Sequence, residues 1–296
     1  MNAEICKNFL LVREKFPDQL DNNENYTFKD KDHFKDYCTS GCDGSLEKVN
    51  AGCLYFFNEF FGSSELFQSV ANSNINIVEY IMIWLSYMLN LKNNEPNITN
   101  LEHFYKTYID GSDQYKKPIA NVKKYTNYKD LIDTKKYYLK MDKNITSKLY
   151  NAFKLLCEMY TIFNGNTSNC EKCSEKANQF VNKYQELNNP NNIKDIAYCQ
   201  ALSTLSNDYN NLKNKCKNYK LLPEINTTQN NVKCFEDTSS SSSISKNIFL
   251  VLSIFGAIGI FLGISYKVNN KEFKNITFKY YFNYIYANVN KKLYVS

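Results

Sequence analysis

Ten cysteines fall on one side of a single uncharged run, residues 248–266, and none falls beyond it. No other feature constrains the chain as much. As a helix the run spans about 28 Å, at roughly 1.5 Å per residue, close to the thickness of a bilayer's hydrocarbon core. Lys246 and Lys267 bracket it, and Tyr266 occupies the place of an interfacial aromatic. Ser253 and Ser265 can bond back to their own helix, so neither forbids insertion. The alternative, a buried core helix, fits poorly with the serine-rich segment that leads into it. Gly259 and Gly263 form a Gly-x-x-x-Gly pair with Gly256 one turn earlier, a face through which two such helices can associate. After the run, Lys267, Lys271, Lys274, Lys279, Lys291 and Lys292 stand against Glu272 alone. The positive-inside rule then makes the tail cytoplasmic and places the large domain outside.

The cysteines are Cys6, Cys38, Cys42, Cys53, Cys157, Cys170, Cys173, Cys199, Cys216 and Cys234. An even number on one side of a membrane fits structural disulfides made in an oxidising compartment, with a connectivity that spacing does not reveal. Metal is the competing reading: Cys38, Cys42, Cys170 and Cys173 have ligand-like spacing and together form a candidate zinc set. His33 and His103 offer it no partner spacing. One feature opposes the topology. The first residues lack an apolar stretch long enough for a conventional signal peptide, which favours the alternative of a tail-anchored scaffold or trafficking protein facing the cytosol.

The predicted fold class is all-α: a multi-helix, cysteine-containing domain followed by one C-terminal transmembrane helix. Nine glycines and five prolines in 296 residues are too few for a β-sandwich with many tight turns. The expected divisions are a helical domain over 1–235, a Ser-rich stalk over 236–246, the membrane helix over 247–267 and a short basic tail over 268–296. Ile5, Phe9, Val12 and Phe16 recur at helical spacing in 1–16, as do Val49, Cys53, Phe56, Phe57 and Phe60 in 46–61. Residues 75–91 are the most apolar stretch before the anchor. Asn76, Glu79, Ser86 and Asn90 make a second membrane span costly, so a central core helix with Trp84 as its bulkiest side chain is expected. Residues 99–102 read as a capping box, 118–141 as a half-exposed helix and 149–163 as a helix, with a helical pair over 170–187 and 193–222.

Nothing here predicts an enzyme or a cofactor. The chain has no Gly-x-Ser-x-Gly, P-loop, dinucleotide-binding or His-Glu-x-x-His motif. Its two histidines read as surface residues, His33 within an Asp/Lys-rich stretch and His103 facing solvent or edging the packing. A net charge of +6 is dispersed and not arranged in a basic stripe, so no nucleic acid is expected as a partner. Asn-x-Ser/Thr sites stand at Asn25, Asn97, Asn144, Asn166 and Asn226, several of them expected by chance in so Asn-rich a chain.

Four segments carry a resemblance: the opening Met-Asn-x-Glu-x-Cys, residues 49–62 (VNAGCLYFFNEFFG), residues 74–91 (NINIVEYIMIWLSYMLNL) and the serine stalk leading into 255–267. Over 1–267 the chain closely resembles the Plasmodium interspersed repeat (PIR) multigene family of rodent malaria parasites. The resemblance implies a variant helical ectodomain on one transmembrane helix, exported toward the infected red-cell surface or the vacuole membrane. It also implies a role in antigenic variation and host interaction, with a host receptor or antibody as partner. Family members typically lack a conventional signal peptide, which resolves the conflict over topology. The tail departs from the family's glycine-turned, Arg/Lys-dense ending, and Val268-Asn269 is compatible with codons resembling an intron donor. Residues 268–296 are therefore expected to be intron read-through or an alternative splice product.

Overall fold

The structure, a computed structural model, describes residues 1–38, 41–92, 100–119, 125–188, 196–216 and 222–225. The chain divides into two units, Met1–Glu236 and Asp237–Ser296, and every described residue belongs to the first. The expected stalk, membrane helix and tail lie outside the described residues. Among those described, no helix is long and apolar enough to cross a membrane.

Helix α1 spans Ala3–Lys15. Asn2 caps it, its side-chain oxygen accepting from the Ile5 N–H at 2.8 Å. Glu4 in the first turn and Arg13 and Lys15 in the last complement the helix dipole. Its buried residues Ile5, Cys6, Phe9 and Val12 trace one stripe. Helix α2 spans Ser45–Phe61 and starts where the Glu47 carboxylate accepts from the Gly44 N–H at 3.0 Å. The predicted stop at Gly62 is its C-cap, and the next residue, Ser63, immediately caps a short helix α3, Ser64–Ser69.

Helix α4, Ile77–Leu89, is buried all round except at Tyr87, which accounts for its apolar sequence without a membrane. At 13 residues it is about 20 Å long, too short to span a bilayer. Trp84 is 1 % exposed, with its ring 5.0 Å from Phe56 and 6.4 Å from Phe16. A Cβ at Gly52 of α2 would lie 2.8 Å from the Trp84 indole, so glycine lets α2 and α4 approach. Helix α5, Asn100–Phe104, runs on into a π-helical turn, Tyr105–Asp110.

The stretch 118–141 corrects the expectation of one half-exposed helix. Pro118 and Asn127 form an isolated antiparallel bridge, helix α6 spans only Tyr128–Asp133, and Lys136–Lys140 is a 3₁₀ turn. Tyr128, Leu131, Ile132, Tyr138 and Leu139 are buried. The apolar residues in this stretch recur over single turns only, and Asn127 caps a new helix by accepting from the Asp130 N–H at 2.9 Å.

Helix α7, Lys143–Phe163, starts six residues earlier than the apolar periodicity implies. Asp142 caps it by accepting from the Asn144 and Ile145 N–H groups at 2.8 and 3.2 Å, and Asn164 ends it in left-handed backbone at φ 42°. Helices α8, Ser174–Leu187, and α9, Ile196–Lys215, form the predicted pair with shorter bounds: Glu171–Cys173 is a 3₁₀ turn, the second helix ends at Lys215, and 222–225 is not helical. Helix α7 is the central element, packing on α1, α4, α8 and α9, while α4 also packs on α2. Aromatic pairs fill the seams: Phe9 against Phe56 at 4.3 Å and Phe153 at 4.8 Å, Tyr80 stacked on Phe153 at 4.4 Å, and Tyr87 stacked on Tyr150 at 4.2 Å.

Candidate functional site

The cysteines sort into three roles. Cys6–Cys157 joins α1 to α7 with Cα atoms 4.7 Å apart, and Cys170–Cys216 joins the turn before α8 to the end of α9 at 5.7 Å. Both bridges are buried. Cys38–Cys42 instead closes a short loop ahead of α2, with Cα atoms 5.1 Å apart. Cys199 is also disulfide-bonded, and Cys234 lies outside the described residues. Cys53 and Cys173 are free and buried, so these two of the ten disulfide candidates are not bridged. An even count fixes no pairing, and both of these positions lie on core-facing turns. Burial pushes the Cys53 thiol up to about 12, against a hydrogen bond from Tyr115 that lowers it. The candidate zinc set does not assemble: Cys38 and Cys42 bond to each other, Cys170 bonds to Cys216, and Cys173 stays apart as a thiol. Among the described residues no group of three or more His, Cys, Asp or Glu side chains is placed to hold a metal ion.

The interior polar groups lock helices together. Asp208 of α9 accepts from the Tyr80 hydroxyl of α4 at 2.6 Å and from the Met1 amine at 2.9 Å. The Tyr160 hydroxyl of α7 donates to the Asp208 carbonyl at 2.8 Å. Burial, with the Asp208 charge beside it, holds the Tyr80 hydroxyl well above the usual phenol range. Glu79, 3 % exposed, accepts from Lys135 at 2.6 Å and from the Thr204 hydroxyl. The sequence hides these partners because each lies 48 or more positions away. The available signal was Glu79 itself, an acid inside an apolar helix that needs a donor when buried.

At the surface, Asp133 accepts from Lys129 at 2.7 Å and from the Tyr105 hydroxyl, and Lys136 approaches to 3.2 Å. Lys136 also lies 4.3 Å from the Tyr105 ring centroid. Burial pushes the Asp133 carboxyl up, but the donors Lys129, Tyr105 and Lys136 outweigh it and hold the group below its usual range. Two depressions flank the segment 20–31. One, of about 350 Å³, is lined by Leu20, Asn23, Asn25, Leu91 and Lys92; the other, of about 280 Å³, by Tyr26, Phe28, Lys31, Cys42, Asp43 and Lys48. Both open to solvent, and neither gathers a nucleophile with a base. His103 is exposed. His33 is half-buried instead of solvated, its ring 4.9 Å from Phe34 and from Tyr55, because the 3₁₀ turn Asp32–Tyr37 lays that face on α2. Trp84 takes its predicted place in the core, while Gly256, Gly259 and Gly263 lie outside the described residues.

This arrangement offers an outer face on a cross-linked helical unit. Residues 6–267 match the family model described as Plasmodium variant antigen protein Cir/Yir/Bir. A solved Plasmodium PIR protein ectodomain is similar at a TM-score of 0.58 and 30 % sequence identity, over 75 % of this chain and 95 % of that one. No curated protein matches the chain. With most of its length inside the family match, the chain belongs to the Plasmodium Cir/Yir/Bir variant antigen family, the PIR proteins.

Proposed function

We propose that this chain is a single-pass membrane antigen that presents its helical unit outside the membrane and acts by being bound. The family match carries this reading, because its span of 6–267 takes in the helical unit, the serine stalk and the apolar run as one protein. The buried bridges Cys6–Cys157 and Cys170–Cys216 support an oxidising space for the helical unit. In this reading the protein is exported toward the infected red-cell surface or the vacuole membrane, where it serves antigenic variation and immune evasion. Its partners are antibody or a host protein, engaged without catalysis or cofactor. Gly256, Gly259 and Gly263 give the membrane helix a face for self-association. Residues 268–296 fall past the matched span, and we hold them to be intron read-through or a splice variant. RNA reads crossing the Lys267 codon decide that point: a spliced form supports it, and uniform unspliced coverage refutes it.

Protease treatment of intact infected cells tests the main reading. Digestion of the helical unit with the tail protected is the expected result. A helical unit that still resists protease after the red-cell and vacuole membranes are opened, and yields only when the parasite's own membrane is opened, would instead establish a cytosol-facing scaffold.

A further inference from the structure

One of the described disulfides differs from the others in its placement. Cys6–Cys157 and Cys170–Cys216 are buried at both ends, whereas Cys38 is half-exposed and only Cys42 is buried. The Cys38–Cys42 bridge also spans just four positions, so it joins no two helices. Gly41 and Cys42 both adopt left-handed backbone, at φ 90° and 58°. Glycine tolerates this region, but a residue with a Cβ does not favour it. The bridge therefore closes a loop that ends in two residues of left-handed backbone.

That loop connects two packed elements. On one side, the Cys38 N–H donates to the Lys35 carbonyl at 3.2 Å, closing the 3₁₀ turn Asp32–Tyr37. Phe34 and Tyr37 of that turn meet Tyr55 of α2, both at 5.7 Å between ring centroids. On the other side, the Cys42 sulfur lies 3.7 Å from the Glu47 carbonyl, and Lys48 donates to the Asp43 carbonyl at 3.0 Å. Cys42 also lines one of the two surface depressions, with Tyr26, Phe28 and Lys31. Opening the bridge would thus release the join between the 3₁₀ turn and the start of α2, which forms part of the outer face.

We propose that Cys38–Cys42 is a thiol-responsive switch: a low-molecular-weight thiol reduces it selectively and remodels the surface of residues 31–48 while the bundle stays cross-linked. In the first step the thiolate attacks the sulfur of Cys38, the half-exposed residue of the pair. A mixed disulfide forms, the protein S–S bond breaks, and Cys42 leaves as a thiolate that takes up a proton. A second thiol then attacks the mixed disulfide, releasing the oxidised small molecule and the Cys38 thiol. Two external thiols are oxidised to one disulfide, and one protein disulfide is reduced to two thiols. Attack needs access to sulfur, which the buried bridges deny. The free thiols among the described residues, Cys53 and Cys173, are buried and raised by burial, so the attacking thiolate comes from outside. The switch requires only contact with thiol and does not depend on which side of the membrane the unit faces.

The test is timed exposure of the detergent-solubilised full chain to glutathione, with acid quench, alkylation and mass-spectrometric mapping of each cysteine. Cys38 and Cys42 should become labelled at least about ten-fold faster than Cys6, Cys157, Cys170 and Cys216. Hydrogen exchange should then rise several-fold across 31–48 and stay unchanged in α7. The double variant Cys38→Ser/Cys42→Ser should reproduce the reduced exchange pattern without any thiol. Labelling of all six cysteines at similar rates would overturn the proposal, as would selective reduction that leaves exchange across 31–48 unaltered. Should the variant not fold, the labelling rates and exchange of the unmodified chain still decide the matter.

Discussion

At Gly52 a single hydrogen side chain sets the distance between two helices. An added Cβ would sit 2.8 Å from the Trp84 ring and 3.4 Å from Phe16, both fixed by surrounding aromatics. Alanine would gain about 1 kcal/mol of helix propensity, but overpacking of this kind costs about 1–3 kcal/mol. Gly52→Ala is therefore expected to lower the thermal midpoint, and a raised midpoint would show that α4 can shift to accept it. Asp133 gives a pH signature at the same scale. Its folded pKa lies below the unfolded one, so its contribution is fully present above the ordinary carboxylate value of about 3.9. That contribution is lost as pH falls through the lower folded value. Urea midpoints should show Asp133→Asn less stable than the parent at pH 6, with the gap closing below about pH 4. A gap that does not narrow at all as pH falls below about 4 would contradict the account. Single residues also show what the sequence left illegible. Trp84 was readable as core from its apolar surroundings, whereas the free state of Cys53 and Cys173 was not, because pairing depends on which sulfurs the fold brings together.

Among the elements, α1, α2 and α7 were legible because each repeats an apolar stripe over three turns or more, and α4 because it is apolar almost throughout. The stretch 118–141 was misread because its runs last single turns, and the short Tyr128–Asp133 helix draws its burial from tertiary packing, not from periodicity. Polar links between helices were equally hidden. The Tyr80–Asp208 bond spans 128 positions and couples α4 to α9. Tyr80→Phe removes a donor from a buried carboxylate and should cost about 1–3 kcal/mol in urea denaturation. The part-buried bond from Tyr55 to Asn8, at 3.3 Å, provides the contrast: it strands no charged partner, so Tyr55→Phe should cost about 0.5–1 kcal/mol. Equal costs for the two would show that the buried network does not key α4 to α9.

Over the whole molecule, the cross-links are placed where chain entropy makes them count. Cys6–Cys157 closes a separation of 151 residues, for which loop-closure entropy gives about 5 kcal/mol. Cys38–Cys42 closes a separation of four, for which the same relation gives about 2 kcal/mol. The long bridge therefore stabilises the bundle, and the short one shapes its surface. The candidate outer face was largely illegible from sequence, since the depressions beside 20–31 draw on residues from three separate segments. The central claim is that this helical unit matures in an oxidising space as a cross-linked antigen, and disulfide mapping of protein taken from infected cells tests it most directly. Alkylation before any reduction, followed by non-reducing peptide mapping, should recover linked Cys6–Cys157 and Cys170–Cys216 peptides, with Cys53 and Cys173 labelled only after unfolding. Recovery of Cys6, Cys157, Cys170 and Cys216 as free thiols in the native protein would contradict the account.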